Sequence, residues 1–311
     1  MAPKIQVRFM IIVVGSINLD LIVNVERLPA PGETVLGSTF TTAPGGKGAN
    51  QALAARRAGA KARMVGAIGG DSFAEEALAL LDEAEVDLST VKKTDTTTGT
   101  AHILVAADGE NVIAVVPAAN ALVLPNDLGD GLFSNGDHVL LQQEIPVETV
   151  SATLGAARAA GAVSVLNTAP FQATTAPLLP RADYVVANET EFDFYADALG
   201  IDAGDREIRM RAFVEKTGGV LIVTLGGEGV LAVTPDEAFK VPALQITPVD
   251  TVGAGDTFCG YLAAGLDAGL SLADALRKAA AAGSLACLKP GAQPAIPMAA
   301  DVDEALNSES S

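Results

Sequence analysis

Asp250-Thr251-Val252-Gly253-Ala254-Gly255-Asp256-Thr257-Phe258-Cys259-Gly260, followed by Tyr261-Leu262-Ala263-Ala264-Gly265-Leu266, sets a glycine-rich turn directly ahead of an apolar helical run. A turn that opens into a helix leaves backbone N–H groups unpaired and adds the positive end of the helix dipole. The amides of Gly253, Ala254, Gly255 and Asp256 therefore form a candidate anion hole, suited to a phosphoryl group in transfer. Asp256 stands at its edge, where a carboxylate can accept a proton from an attacking hydroxyl. Taken alone, Gly-x-Gly-Asp is better explained by Asp256 capping the helix. A second acid, Asp250, at the far end of the same turn makes that reading less comfortable.

Outward from this turn, buried-strand runs alternate with Ala-rich helical runs. Strands are expected at 10–14, 62–67, 138–142, 163–166, 184–187 and 220–225, and helices at 50–58, 72–84, 147–160 and 189–198. This is the βαβ rhythm of a parallel sheet covered on both faces. Gly59, Gly161 and Gly200 fall just past three of the helices, as C-terminal caps should. Two segments break the rhythm, 21–42 and 99–116; the second carries Asp108-Gly109 between two β-rich runs, a hairpin signal. They are expected to pair into a small inserted sheet, a lid over the strand ends, with an ordinary edge extension as the alternative. The polar tail after Asp303 is expected to fray.

Of the 311 residues 49% are hydrophobic but only 4% aromatic, so the core rests on Ala, Val, Leu and Ile, and a site that stacks bases on several rings is disfavoured. A net charge of −18 repels a phosphate-rich polymer, which excludes nucleic acid as a partner. Lys4 and Arg8 before the apolar run from Phe9 to Val14 resemble a secretory signal, but the run is short and ends without a cleavage site; a first buried strand and a cytoplasmic protein are expected. No stretch is long and apolar enough to span a membrane. Cys259 and Cys287 read as small buried hydrophobes, and His102 and His138 as structural.

A second glycine-rich string, Pro44-Gly45-Gly46-Lys47-Gly48-Ala49-Asn50-Gln51, opens another helix, and the donors of Lys47 and Asn50 suit the hydroxyls of a polyol. The P-loop pattern fails here, because Gly48 stands where Ser or Thr should hold magnesium, and no Gly-x-Gly-x-x-Gly occurs.

With these motifs in order, the chain resembles the ribokinase-like carbohydrate kinases, also called the phosphofructokinase B family, over nearly its whole length. Gly15-Ser16-Ile17-Asn18-Leu19-Asp20 resembles the first-strand substrate motif, and Pro44 to Gln51 the first signature. Gln143-Glu144, Asn188-Glu189-Thr190-Glu191, Thr224-Leu225-Gly226-Gly227-Glu228-Gly229, the turn from Asp250 to Asp256 and Gly291-Ala292-Gln293-Pro294-Ala295-Ile296-Pro297 follow in family order.

The resemblance implies a three-layer α/β/α sandwich with a mostly parallel central sheet and a small β-sheet lid, in one kinase domain over residues 1–311. It implies ATP-dependent phosphorylation of D-ribose at the 5-hydroxyl, giving ribose 5-phosphate and ADP. The alternatives are another small sugar (fructose, deoxyribose or ketodeoxygluconate), or a sugar-binding regulator without catalysis. By the same resemblance Asn18, Asp20, Gly46, Lys47, Asn50 and Glu144 hold the sugar and Asp256 is the base. Asn188, Thr224, Gly226 and Gly229 face the nucleotide, with Glu191 at Mg2+ through water. Asp250 and the carbonyls of Val252, Ala286, Lys289 and Gly291 surround K+. The resemblance also implies that two lids clasp in a homodimer, with His102 near the sugar or the interface. The chain departs from the family pattern at Asn167-Thr168-Ala169-Pro170, at Ala118-Ala119-Asn120, in the spacing of Gln142-Gln143-Glu144, and at Ala295, where Ser is common.

Overall fold

Ile11-Ile12-Val13-Val14 forms strand β1, and its four side chains are buried on alternating sides. Ile11 and Val13 join one apolar cluster, Ile12 and Val14 a second. A strand wetted on neither face must lie inside a sheet covered by two helical layers, and the chain builds that around it. The structure, a computed structural model, describes residues 10–201 and 204–309.

In chain order follow β2 (Asn18–Val25), β3 (Gly37–Gly45), α1 (Lys47–Arg57), β4 (Ala62–Ile68), α2 (Phe73–Glu83), β5 (Asp87–Lys93), β6 (Gly99–Ala106) and β7 (Asn111–Val116). Then come β8 (His138–Leu141), α3 (Val147–Ala160), β9 (Val163–Asn167), β10 (Tyr184–Asn188), α4 (Glu189–Ala198), α5 (Arg206–Thr217) and β11 (Val220–Thr224). The chain ends with β12 (Val230–Val233), β13 (Ala238–Val241), α6 (Ala254–Asp267), α7 (Leu272–Ala286), the short α8 (Ala292–Ala295) and α9 (Ala299–Glu309).

The large sheet runs β13-β12-β11-β10-β9-β8-β1-β4-β5, and every neighbouring pair is parallel except those that β12 makes with β11 and β13. Helices α1, α6 and α7 pack on the cluster of Ile11 and Val13, and α3, α4 and α5 on that of Ile12 and Val14. The expected three-layer sandwich is the observed fold. The small sheet also forms, in the order β3-β2-β6-β7, with β6 and β7 joined through the Asp108-Gly109 turn.

Helices α3 and α4 fall at the expected bounds, while the ends of α1 and α2 move by one to three residues. Three strands went unanticipated: β5 and β13, the two edge strands, mix polar with apolar residues, and β12 follows β11 antiparallel with no α-helix between, outside the βαβ rhythm. The described part of the tail expected to fray, residues 304–309, continues helix α9, which is docked just before it by the buried Val302 and by Lys278 paired with Asp303 at 2.7 Å. Lys4, Arg8 and Phe9 lie outside the described residues. Among those described, no helix is long and apolar enough to cross a membrane. Both cysteines are free and buried, and burial pushes the Cys259 thiol well above its usual range.

Helices α1 and α6 approach closely because both present small residues. A Cβ on Gly260 of α6 would lie 2.5 Å from Ala54 Cβ and 2.7 Å from the backbone N of Ala55 and O of Gln51. Gly260→Ala must therefore separate the two helices, at about 1–3 kcal/mol. Urea unfolding of purified protein should show that loss, and an unchanged midpoint would mean the interface has slack.

Candidate active site

Strand β1 has β4 on one side and β8 on the other, and the chain visits β4 and β5 before crossing to β8. That reversal is a topological switch point, and in open α/β sheets ligands bind just beyond the strand ends there. The segments leaving those ends are Gly15-Ser16 after β1 and Gln142-Gln143-Glu144 after β8. Ser16 Oγ donates to Glu144 Oε2 at 2.6 Å, and the Lys47 amide donates to the same oxygen at 3.1 Å. Glu144 is thus fixed through one oxygen, and its other is left for a ligand.

Helix α1 begins at this point. Gly46 is its N-cap with φ +88°, and a Cβ there would meet the Asn18 backbone N at 2.7 Å, so glycine is required. Asn18 opens β2, and its Oδ1 accepts from Asn120 Nδ2 at 2.7 Å; Asn120 also accepts from the Ile17 amide at 2.9 Å. The side-chain amide of Asn18 is therefore turned with its NH2 group unspent. Asp20 follows on the same strand, 8% exposed.

Helix α6 meets α1 here. Its N-cap is Gly253, left-handed at φ +76°, and not Asp256. Asp256 lies inside the first turn, 6% exposed, where Oδ2 accepts from Asn50 Nδ2 at 2.9 Å and Oδ1 from Gln51 Nε2 at 3.0 Å. The helix-cap reading of Asp256 is thus replaced: its carboxylate is bonded across to α1. The amides of Gly253, Gly255 and Asp256 find no acceptor among the described residues, while the Thr257 amide is bonded to Gly253 O at 2.8 Å. A helix start with unspent amides beside a buried carboxylate can hold an anion and accept a proton at neighbouring points.

A cleft of about 620 Å3 runs from Lys47 and Asp256 past Gly253, Ala254 and Gly255 to Asn188, Thr224, Gly226 and Gly229. Its far wall is aliphatic, with Val230, Leu244 and Ile246. Asn188 and Thr224 face each other across the β10–β11 register. Asn188 also caps α4: its Oδ1 accepts from the Glu191 amide at 2.8 Å, and its own amide donates to Glu191 Oε2 at 3.0 Å. That capping box is a structural reason for both residues, and it leaves Glu191 Oε1 uncommitted. Asp250 sits behind the turn, its Oδ1 accepting from the Val252 amide at 3.0 Å and its Oδ2 from the Gly291 amide at 2.8 Å.

The expected site residues thus converge, in two groups that meet at Lys47 and Asp256. Four further residues emerge only in three dimensions: Ser16, Gln51, Asn120 and Gln142, all buried and each bonded to another site side chain. Each stands inside a motif or departure noted in the sequence, but no role attached to it there, since its partner is set by the fold.

Charge is concentrated at the junction. The Asp256 carboxylate, with Glu144 and Glu191 adding to it, outweighs burial and holds the Lys47 ammonium above its usual pKa. Asp20 is pushed up from 3.8 to about 7, first by burial and then by the Glu144 and Asp256 carboxylates, with Lys47 opposing.

The comparisons with known proteins agree with one another. A family model described as pfkB family carbohydrate kinase matches residues 8–299. A ribokinase of Lactococcus lactis is 38% identical over 297 residues, 94% of this chain and 96% of that one. A deoxyribokinase of Salmonella typhi is 33% identical over 81% of this chain and 84% of its own length. The crystal structure of ribokinase from Thermotoga maritima superposes with a TM-score of 0.88 at 31% identity, covering 96% of this chain and 99% of that one.

The raised pKa of Asp20 has a consequence for stability. Between 3.8 and about 7 the folded protein keeps a proton that the unfolded chain has released, so stability falls as pH rises through that window. The slope from this one group is at most about 1.4 kcal/mol per pH unit. Asp20→Asn removes it. Urea midpoints of the ligand-free protein should show the variant gaining on the parent from about pH 5.5 to about pH 7, inside the window in which the unfolded chain has released this proton and the folded protein still holds it. Parallel pH profiles would contradict the assignment.

Proposed function

The chain belongs to the pfkB family of carbohydrate kinases, an ATP-dependent phosphotransferase acting on a small sugar, and from that premise we propose that it phosphorylates D-ribose at the 5-hydroxyl. The observation that carries the reading is the Asp256 carboxylate, bonded by Asn50 and Gln51 beside the unspent amides of Gly253 and Gly255. Asn18, Asp20, Gly46, Lys47 and Glu144 bind the sugar hydroxyls, each of which both donates and accepts. Asn50 is bonded to Asp256, so it serves the base as well as the sugar through its unpartnered Oδ1. Asp256 takes the proton of the attacking hydroxyl. The amides of Gly253, Gly255 and Asp256 meet the charge on the phosphoryl oxygens without having to reorganise, whereas the Ala254 amide, expected among them, donates to Thr251 O at 3.3 Å. The nucleotide lies in the cleft past Asn188, Thr224, Gly226 and Gly229, its base against the aliphatic wall. A regulator that only binds sugar has no use for a base held in this way, so that alternative is set aside.

Two metal ions fit the donors present. Among the described residues no three His, Cys, Asp or Glu side chains cluster for a metal. Mg2+ that keeps most of its water and rides on the ATP phosphates asks no more than the free oxygen of Glu191; when bound it neutralises phosphate charge. K+ has a fuller set: the Asp250 carboxylate and the carbonyls of Val252, Ala286, Lys289 and Gly291, which accept no hydrogen bond among the described residues. Carbonyl cages of this kind suit a weakly hydrated cation, and one here steadies the turn that carries the anion hole.

The small sheet acts as the lid and as the contact of a homodimer. Val112, Ile113, Val115 and Val116 leave both faces of the edge strand β7 apolar and about half exposed, and Phe40 lies exposed on the opposite edge strand β3, open apolar area of the kind a two-fold partner would cover. His102 lies on the same sheet, exposed and bonded to Thr100 Oγ1 at 3.1 Å, placing it outside any core.

Coupled ADP-release assays across ribose, 2-deoxyribose, fructose, ketodeoxygluconate and adenosine should give ribose the highest kcat/KM, because buried donors left unpaired by a missing hydroxyl cost binding. A rival better by about tenfold would move the substrate and keep the chemistry. Asp256→Asn should lower turnover by ~10²–10⁴ with sugar binding largely kept; near-normal turnover would end the base assignment. In tetramethylammonium buffer at constant ionic strength, added potassium or caesium should raise turnover, and a flat response to every cation would show that the Asp250 loop is ordered without one.

A further inference from the structure

We propose that Gln51, oriented by Gln142, is a positioning residue that fixes the Asp256 carboxylate for proton abstraction, an inference that rests on Asp256 being the base. Three side chains form a buried relay. Gln51 Nε2 donates to Asp256 Oδ1 at 3.0 Å, and Gln142 Nε2 donates to Gln51 Oε1 at 2.7 Å. Both glutamines are fully buried, so no water competes for these bonds.

The orientations follow from the chemistry of the end group. An ionised carboxylate only accepts, so Gln51 must turn its NH2 toward Asp256. Its oxygen then faces Gln142, which must donate in turn. Gln142 Oε1 is left without a partner, and it occupies the space where a Cβ on Gly15 would sit, 1.9 Å away. Glycine at the end of β1 is what lets Gln142 lie there. The relay therefore ties the base to the switch point between β1 and β8, the rigid middle of the sheet.

Asn50 and Gln51 divide the carboxylate between them, one donor on each oxygen. Each oxygen has about two acceptor sites, so both keep one for the cleft, and the carboxylate cannot rotate without breaking a bond at either end. Asn50 stands among the proposed sugar ligands and has its own Oδ1 to offer, whereas the Gln51 side chain, among the described residues, bonds only Asp256 and Gln142. Gln51 is thus the donor devoted to the base.

The test uses the full chain with ATP and ribose, in five variants: Gln51→Met, Gln142→Met, that pair together, Asp256→Asn, and Asp256→Asn with Gln51→Met. Gln51→Met should lose about 10²-fold in kcat, the scale of a misplaced reacting group, while KM for ribose stays within about threefold. Gln51→Met alone strands the Gln142 N–H; adding Gln142→Met removes it, so the pair should regain urea stability without regaining kcat. In the Asp256→Asn background, Gln51→Met should change turnover by less than about threefold, because it acts through the carboxylate. A parent-like kcat for Gln51→Met, losses that multiply with those of Asp256→Asn, or recovery of kcat in the stabilised pair would overturn the proposal. Inactive Asp256→Asn beside active Gln51→Met overturns this inference alone, whereas active Asp256→Asn overturns the base assignment beneath it.

Discussion

A carboxylate 6% exposed, bonded on each oxygen by an amide from a neighbouring helix, is the constraint around which this site is built. Burying an ionised group costs several kcal/mol unless hydrogen bonds and opposite charge compensate. Asp256 has both: Asn50 and Gln51 donate to it, the Lys47 ammonium faces it, and it lies in the first turn of α6, near the positive end of that helix's dipole. None of this can be assembled unless α1 and α6 come very close, which is why Ala54, Ala55 and Gly260 stand at their contact. Packing and chemistry are one requirement here, since a larger residue in the seam would pull the donors off the carboxylate.

The electrostatic pattern follows from the same crowding. Asp20, Glu144 and Asp256 share the field of Lys47 in a buried space. The Asp20 pKa rises to about 7 because the group is buried and faces the Glu144 and Asp256 carboxylates, with Lys47 opposing, and among the described residues no donor is bonded to it as Ser16 and the Lys47 amide are to Glu144. A sugar hydroxyl is the sort of donor that relieves it. The acidic chain as a whole repels anions, yet the unspent amides of α6 and the Lys47 ammonium give one local exception in the cleft.

Much of this was legible in the sequence, for physical reasons that can be named. The turn before α6 was readable because glycines ahead of an apolar helix leave amides free, and the parallel sheet because its central strands are continuous apolar runs. The strands β12 and β13, four residues each, return antiparallel from β11 with no α-helix between, so the βαβ rhythm does not announce them even though β12 is apolar throughout. Helix α9 was hidden because its helicity comes from docking Val302, a tertiary effect that a polar composition conceals. Asn50 was expected on the sugar and is found on Asp256, 206 residues away, and no local pattern reports a partner at that separation. Gln51 belongs to the same signature as Asn50, but its neighbours Ala49, Ala52, Leu53, Ala54 and Ala55 give no local sign of a role, because its partners Asp256 and Gln142 come from distant elements.

The central claim is that Asp256, held by two amides, presents its remaining acceptor sites to the hydroxyl that attacks. A crystal structure of the chain with ribose and a non-hydrolysable ATP analogue tests it directly. The account predicts the 5-hydroxyl within about 2.6–3.2 Å of an Asp256 oxygen, the reach of a general base, and in line with the terminal phosphate, with the Asn50 and Gln51 bonds intact. A 5-hydroxyl held by Asp20 or Glu144 instead, with Asp256 touching only its two amides, would contradict it.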